Sequence, residues 1–364
     1  MAQSPASGRL LSPDTCLGTE PRIHPGLLAG LVKYGMHKNS SGPKDITLDS
    51  SIDEIGTYLL ESEKRTEAFL NTLSYSLPDD HLLPSVVSSE DHVQGSDGNS
   101  VRLIIHRPES QADGTLPAVV YFHGGGMVTL KTDNALHTCW AKNLAAAGVV
   151  VIAVDFRNAA TTEGWCHFPA GLNDCAAAVR WIDSQRTKLR ISKIILQGES
   201  GGANLALATA LKANREGWVS AIDGVYAWVP GISNAYNWTR EKKLQELPSL
   251  VESDGYFLDC VSMAIDARMY EPSGNHSQDP LAWPYWAGEA DLKGLPPHVI
   301  ATSELDPLRD EGIAYYRKLV NAGVKAVGRV NLGMIHAGEM ILRSACGDAF
   351  FTTVRDVKCF AESL

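Results

Sequence analysis

A short apolar run, Ile194-Ile195-Leu196, leads without a spacer into Gln197-Gly198-Glu199-Ser200-Gly201-Gly202, and from there into an Ala/Leu-rich stretch, Ala203 to Leu211. The run has the length and composition of a buried strand, and the stretch that of a helix. The chain must therefore turn from strand to helix within a few residues. A turn that sharp leaves no room for flanking side chains, and glycines at 198, 201 and 202 remove them. Ser200 is then held proud of the strand end, at a helix N-terminus whose first N–H groups lack intrahelical partners. Strand, Gly-x-Ser-x-Gly and helix in that order is the setting of a nucleophile elbow. The pentapeptide alone would also suit a glycine-rich turn without chemistry, so the surrounding chain has to decide.

That surrounding chain alternates. Strands are expected at Val101–His106, Ala118–Phe122, Val149–Val154, Lys193–Leu196, Gly224–Val229, His298–Ala301 and Lys325–Val330. Helices are expected at Asn134–Ala147, Ala170–Leu189, Arg309–Asn321 and Asp348–Glu362. Continuous apolar strands separated by helices imply a mostly parallel sheet covered on both faces, an α/β fold with right-handed crossovers. Ligands of such sheets bind beyond the carboxyl ends of the strands. Ser200, His123, Asp306 and His336 all follow expected strands and should gather there.

Two intervals lie outside the alternation. Residues 1 to about 20, rich in Ser, Pro and Gly, are expected to be loosely attached. After them come a short helix behind Pro25 and a helical pattern from Ile55 to Leu77, begun by Ser51 or Asp53 as cap. Between Gly231 and Pro296 no strand is evident, and Trp238, Tyr256, Phe257, Tyr270, Trp283, Tyr285 and Trp286 lie there. A stretch that long without sheet structure reads as a lid or insertion. The expected organisation is an N-terminal segment with cap helices over 1–85, a first part of the core over 86–230, a cap insertion over 231–296 whose aromatics face an apolar or ring-bearing ligand, and a second part of the core over 297–364.

Composition narrows the function. The net charge of −10 repels phosphate backbones, so no nucleic-acid partner is expected. No apolar run approaches the roughly 20 residues of a membrane span. Met1-Ala2-Gln3-Ser4-Pro5 lacks a basic segment followed by an apolar one, so no secretory signal is expected. The seven cysteines are odd in number and scattered, without a C-x-x-C pair. That speaks against a disulfide framework or a zinc site and for free thiols in a reducing compartment, the cytoplasm.

A serine hydroxyl needs an adjacent base, and the base an orienting acid. In elbow enzymes they follow in the order serine, acid, histidine. The late histidine that follows a strand is His336, in Gly333-Met334-Ile335-His336-Ala337-Gly338; His298 opens a strand, and His276 lies in the insertion. Glu304-Leu305-Asp306-Pro307-Leu308-Arg309-Asp310-Glu311 supplies the acid. Asp306 comes first after the strand with a proline behind it, whereas Asp310 and Glu311 fall inside the helix; Asp310 and Glu304 remain alternatives. An oxyanion needs N–H donors, and His123-Gly124-Gly125-Gly126-Met127 sits between strand and helix where such a loop belongs. A phosphate loop would need a Gly-Lys-Ser/Thr ending or a G-x-G-x-x-G frame, and neither is present. Gly201 offers a further donor, and His123 is expected to hold the loop.

Together with Val154-Asp155-Phe156-Arg157-Asn158-Ala159, Glu246 to Glu252, Asp279 to Tyr285 and Asp306-Pro307-Leu308-Arg309-Asp310-Glu311-Gly312, these motifs make the chain from about Ala118 onward resemble the hormone-sensitive-lipase-like esterases of the α/β-hydrolase fold. The resemblance implies Ser200 as nucleophile, Asp306 as acid, His336 as base, and Gly125, Gly126 and Gly201 as oxyanion donors. It implies no metal and no cofactor. Glu199 and Gly201 stand where Asp and Ala are usual in the family, and Phe-Arg-Asn-Ala replaces the commoner Tyr-Arg-Leu-Ala; one branch of the family shares both departures. Glu199 is expected to bond neighbouring loops rather than tune His336. The expected activity is carboxylic-ester hydrolysis of a small molecule, lactones included. The alternatives are a ligand-binding relative, an acyltransferase or a β-lactam-opening enzyme on the same triad; a homo-oligomer is compatible with the sequence.

Overall fold

A computed structural model describes residues 8–77, 80 and 83–364. Its centre is an eight-stranded sheet. In chain order the strands are β1 (Val86–Gln94), β2 (Ser100–Pro108), β3 (Leu116–Phe122), β4 (Val150–Asp155), a two-residue pair outside the sheet, β5 (Ala160–Thr161) and β6 (Gly164–Trp165), then β7 (Ile191–Glu199), β8 (Gly224–Trp228), β9 (His298–Ser303) and β10 (Ala326–Asn331). Their spatial order is β1-β2-β4-β3-β7-β8-β9-β10. β1 pairs antiparallel with β2 and β2 with β4; every later pairing is parallel.

The alternation of side chains along a strand builds two cores. On β3, Ala118, Val120 and Phe122 face one core, and Val119 and Tyr121 the other. Helices α1 (Pro25–Lys33), α2 (Ile52–Leu70), α3 (Ala135–Ala146), α4 (Ala170–Ser184), α5 (Gly201–Glu216), α6 (Cys260–Tyr270), α7 (Arg309–Asn321) and α8 (Gly347–Glu362) cover it. Leu172 of α4, Leu205 of α5 and Leu319 of α7 join the first core; Trp140 of α3 and Phe350 of α8 join the second.

Four expectations change. β1 is a strand that the periodicity hides, because it is an edge whose side chains are mostly exposed and only Val93 is buried. The helix expected from Ala170 to Leu189 is two, divided at Gln185. The helical pattern from Ile55 ends at Leu70 rather than Leu77. Its start matches the expected cap: Ser51 Oγ accepts from Glu54 N while Glu54 reaches back to Ser51 N at 2.8 Å. The N-terminal stretch is not loose where it is described. Leu17 is fully buried, and Glu20 accepts from Arg22 and from Tyr256 Oη at 2.9 Å. Residues 1–7 lie outside the described residues.

From Gly231 to Pro296 there is no strand among the described residues, as expected; α6 is its longest helix. α6 packs against α2, and the two stand over the carboxyl ends of β3 and β7. The aromatics of this stretch do not face a ligand as a group. Phe257 and Trp283 border the cavity described below, Tyr256 and Tyr270 are core, and Trp238, Tyr285 and Trp286 pack edge-to-face on one another. Lys318 of α7 lies against the Tyr285 ring. These side chains hold the insertion to the sheet.

Candidate active site

The elbow forms where the glycines allow it. β7 ends at Glu199, α5 begins at Gly201, and Ser200 between them takes φ 57° and ψ −122°, a left-handed backbone that a non-glycine residue adopts only under constraint. A Cβ on Gly202 would run into Phe122 O, and one on Gly201 would lie 2.6 Å from Met127 N. The constraint on Ser200 is a backbone bond to Trp228 O at 3.0 Å on the neighbouring β8.

His336 and Asp306 come from adjacent strands. Asp306 follows β9 and is fully buried; His336 follows β10 and is 4% exposed. Nδ1 of His336 donates to Asp306 Oδ2 at 2.8 Å, and Leu308 N donates to Asp306 Oδ1 at 2.9 Å. That leaves Nε2 of the neutral ring as the acceptor. Two further bonds tie the loops together, Leu305 N to Met334 O at 2.9 Å and Gly333 N to Glu304 Oε2 at 2.8 Å. Glu304 is thus a loop clamp. Asp310 is engaged by Arg309 and Ser249 N, and Glu311 by Ile232 N and Ser233. Of the carboxylates in this segment, Asp306 is the one paired with His336.

Ser200 and His336 border one cavity of about 430 Å³. No hydrogen bond joins their side chains among the described residues; such contacts are often long without substrate and tighten in the Michaelis complex. The floor of the same cavity is the glycine loop. Gly125 has φ 108° and Gly126 φ 65°. Gly124 N donates to Glu199 Oε1 at 2.6 Å, whereas the amides of Gly125, Gly126 and Gly201 find no acceptor among the described residues. Three N–H groups beside one hydroxyl can hold a developing oxyanion.

Glu199 and two histidines buttress this loop. Besides Gly124 N, Glu199 Oε1 accepts from Tyr121 Oη at 3.0 Å. Burial pushes its carboxyl up to about 8. Burial drives His123 down to about 4 and His137 to about 3, so both rings are neutral. Their Nδ1 atoms donate to Gly124 O and Lys131 O. His137 Nε2 lies 3.6 Å from Glu199 Oε1, but with the acid protonated and the ring neutral this contact is not an ion pair. The expectation that His123 holds the loop and Glu199 bonds neighbouring loops is what the geometry contains.

The walls rise from α2 (Tyr58, Glu63, Phe69) and α6 (Ser262, Met263, Asp266). Neither acid of these walls stood out in the sequence, because no motif marks them. Glu63 accepts from Leu130 N at 2.7 Å; Asp266 packs beside Gly126. No group of three or more His, Cys, Asp or Glu side chains suited to a metal occurs among the described residues, and no described helix is long and apolar enough to cross a membrane.

The family described as alpha/beta hydrolase fold matches residues 119–340. The chain is similar to brefeldin A esterase, described as a bacterial homologue of human hormone sensitive lipase, at 46% identity and TM-score 0.94 over 97% of each chain. It is 32% identical to carboxylesterase NlhH of Mycobacterium tuberculosis over 70% of this chain and 76% of that one. It is 33% identical to esterase LipI of the same organism over 57% of this chain, a match that spans 61% of that relative's length.

Proposed function

The chain belongs to the alpha/beta hydrolase fold family and within it is a carboxylic-ester hydrolase; from that premise we propose that Ser200, His336 and Asp306 carry the reaction as nucleophile, base and orienting acid. Ser200 Oγ attacks the ester carbonyl as its proton passes to His336 Nε2. Asp306 holds the ring in the Nδ1–H tautomer and stabilises the imidazolium. The carbonyl oxygen, now an anion, takes hydrogen bonds from Gly125, Gly126 and Gly201. His336 then gives the proton to the departing alcohol oxygen, and water activated by the same ring releases the acid from Ser200.

The observation that carries this reading is the convergence on one cavity of Ser200, the His336–Asp306 pair at 2.8 Å and three amides without an acceptor among the described residues. A receptor that only binds would have no use for an imidazole oriented this way. The test is hydrolysis of short p-nitrophenyl esters by wild type and Ser200→Ala. The substitution should lower kcat by about 10⁵–10⁶, the scale seen when a triad serine is removed, and equal rates would overturn the reading. Lactones belong in the same substrate panel, since ring opening uses the same steps.

The proposal extends to organisation and location. Cap helices from an N-terminal segment, 1–85, and the insertion 231–296 cover a core made of 86–230 and 297–364, a division supported by the placement of α2 and α6 as cavity walls. A cytoplasmic setting is supported by seven cysteines, all free.

A further inference from the structure

Two other carboxyls border the cavity, and both are engaged by backbone: Glu63 by Leu130 N and Glu199 by Gly124 N. Asp266 is different. It makes no hydrogen bond and no ion pair among the described residues, although it lies in the cavity wall and partly buried. Its potential partners are committed elsewhere. Asp259, about two turns earlier, takes Ser262 N at 2.9 Å and Ser262 Oγ at 3.0 Å as the helix cap. Arg268, two residues on, points to Pro272 O. No Lys or Arg lines the cavity among the described residues.

The position of Asp266 is specific as well as bare. Of the α6 residues that border the cavity, Met263, Ile265 and Ala267 are apolar and also join the core. Ser262 and Asp266, four apart and so on one face of the helix, are the polar members of that border. A Cβ placed on Gly126 would lie 3.4 Å from Asp266 Oδ2, so the carboxyl packs beside one of the glycines assigned to the oxyanion. Half-buried on the cavity wall and without a protein donor, the carboxyl is free to accept a hydrogen bond from whatever occupies the cavity.

We propose that Asp266 is a specificity-determining residue that accepts a hydrogen bond from the substrate, so that the enzyme selects esters bearing a hydroxyl or ammonium group within a few atoms of the carbonyl. Esters bearing a carboxylate are rejected by the same group. This rests on the esterase reading and names its substrate class.

Asp259 on its own helix acts on Asp266, and the other titratable groups that border the cavity are Tyr58 and Glu63 on α2, His137, Glu199 at the elbow, Tyr236 and His336. None is a Lys or Arg. Burial, with Asp259 adding to it, raises the Asp266 carboxyl to about 7. Protonation weakens it as an acceptor, so donor selectivity grows as pH rises through about 7. Both esters of a matched pair use the same triad, so titration of the triad cancels in their ratio.

The experiment compares kcat/KM for p-nitrophenyl butyrate, p-nitrophenyl 3-hydroxybutyrate and the p-nitrophenyl monoester of succinate, and for propyl against 2-hydroxyethyl butyrate, which places the donor on the alcohol side. Wild type should favour a hydroxylated ester about tenfold to a hundredfold, the range for a hydrogen bond to a charged group. Asp266→Leu should bring that ratio near one, and Asp266→Asn should raise succinate-ester turnover about tenfold. Calorimetric binding of the paired esters to Ser200→Ala reads the same selectivity without turnover. Ratios in folded Asp266→Leu and Asp266→Asn equal to wild type on both the acyl and alcohol sides would overturn the proposal. If Ser200→Ala is inactive at the same time, the esterase reading stands without it.

Discussion

The rim of the cavity and its walls are built on different principles. At the rim, position is set by backbone: a strained serine bonded to β8, a glycine loop pinned through Gly124, and two loops cross-linked from Leu305 to Met334. The walls are side chains on α2 and α6, packed by Ile55, Leu59, Met263 and Ala264 into the core. Backbone scaffolding tolerates little variation, because each group is held by its neighbours' main chain. A helix face can exchange one side chain for another at modest cost. The rim should therefore govern rate, and the walls which ester is accepted.

The largest effect that could break this division is at the acid. Asp306→Asn should keep the fold, leave the ring in the wrong tautomer, and lower kcat about 10⁴-fold with little change in KM. A KM effect of that size instead would place Asp306 with the walls. Next comes the loop support. Glu199→Ala leaves Gly124 N without its acceptor, and kcat should drop about 10²-fold, comparable to losing one oxyanion donor. Glu199→Gln keeps an acceptor oxygen, and the acid it replaces is held protonated near neutral pH, so it should recover to within about tenfold of wild type. If alanine and glutamine fall equally, the charge matters rather than the anchor. The smallest effect belongs to the wall. Tyr58→Ala, on the cavity side of α2, should raise KM about threefold to tenfold and change kcat by less than about threefold.

The same contrast explains what could be foreseen from sequence. The rim is carried by short, contiguous motifs whose chemistry requires particular residues at fixed spacing, and Ser200, Asp306, His336 and the three glycines sit where the order of strands put them. The walls depend on which helix packs over which strand, and that is decided by tertiary contacts. Asp266 is one acid in an ordinary helical pattern, and only its position beside Gly126 in the cavity wall distinguishes it. The aromatic run of the insertion misled for a related reason. Aromatic residues are large in any role, and Trp238, Tyr285 and Trp286 turn out to pack on one another. β1 was hidden because an edge strand needs only backbone pairing, and Ser88, Glu90 and Asp91 carry no apolar alternation.

The parallel pairing of β9 with β10 has a consequence for how the enzyme tolerates deformation. Asp306 and His336 hang from neighbouring rungs of one ladder, so their separation is fixed by strand spacing, about 4.8 Å, and by the clamps between their loops. Ser200 hangs from β7, with β8 intervening. A twist that opens the outer half of the sheet would carry imidazole and carboxylate away as one unit, still joined, and lengthen only their reach to the hydroxyl. Thermal inactivation of such a machine would begin as a loss of alignment between two intact halves, well before either half comes apart.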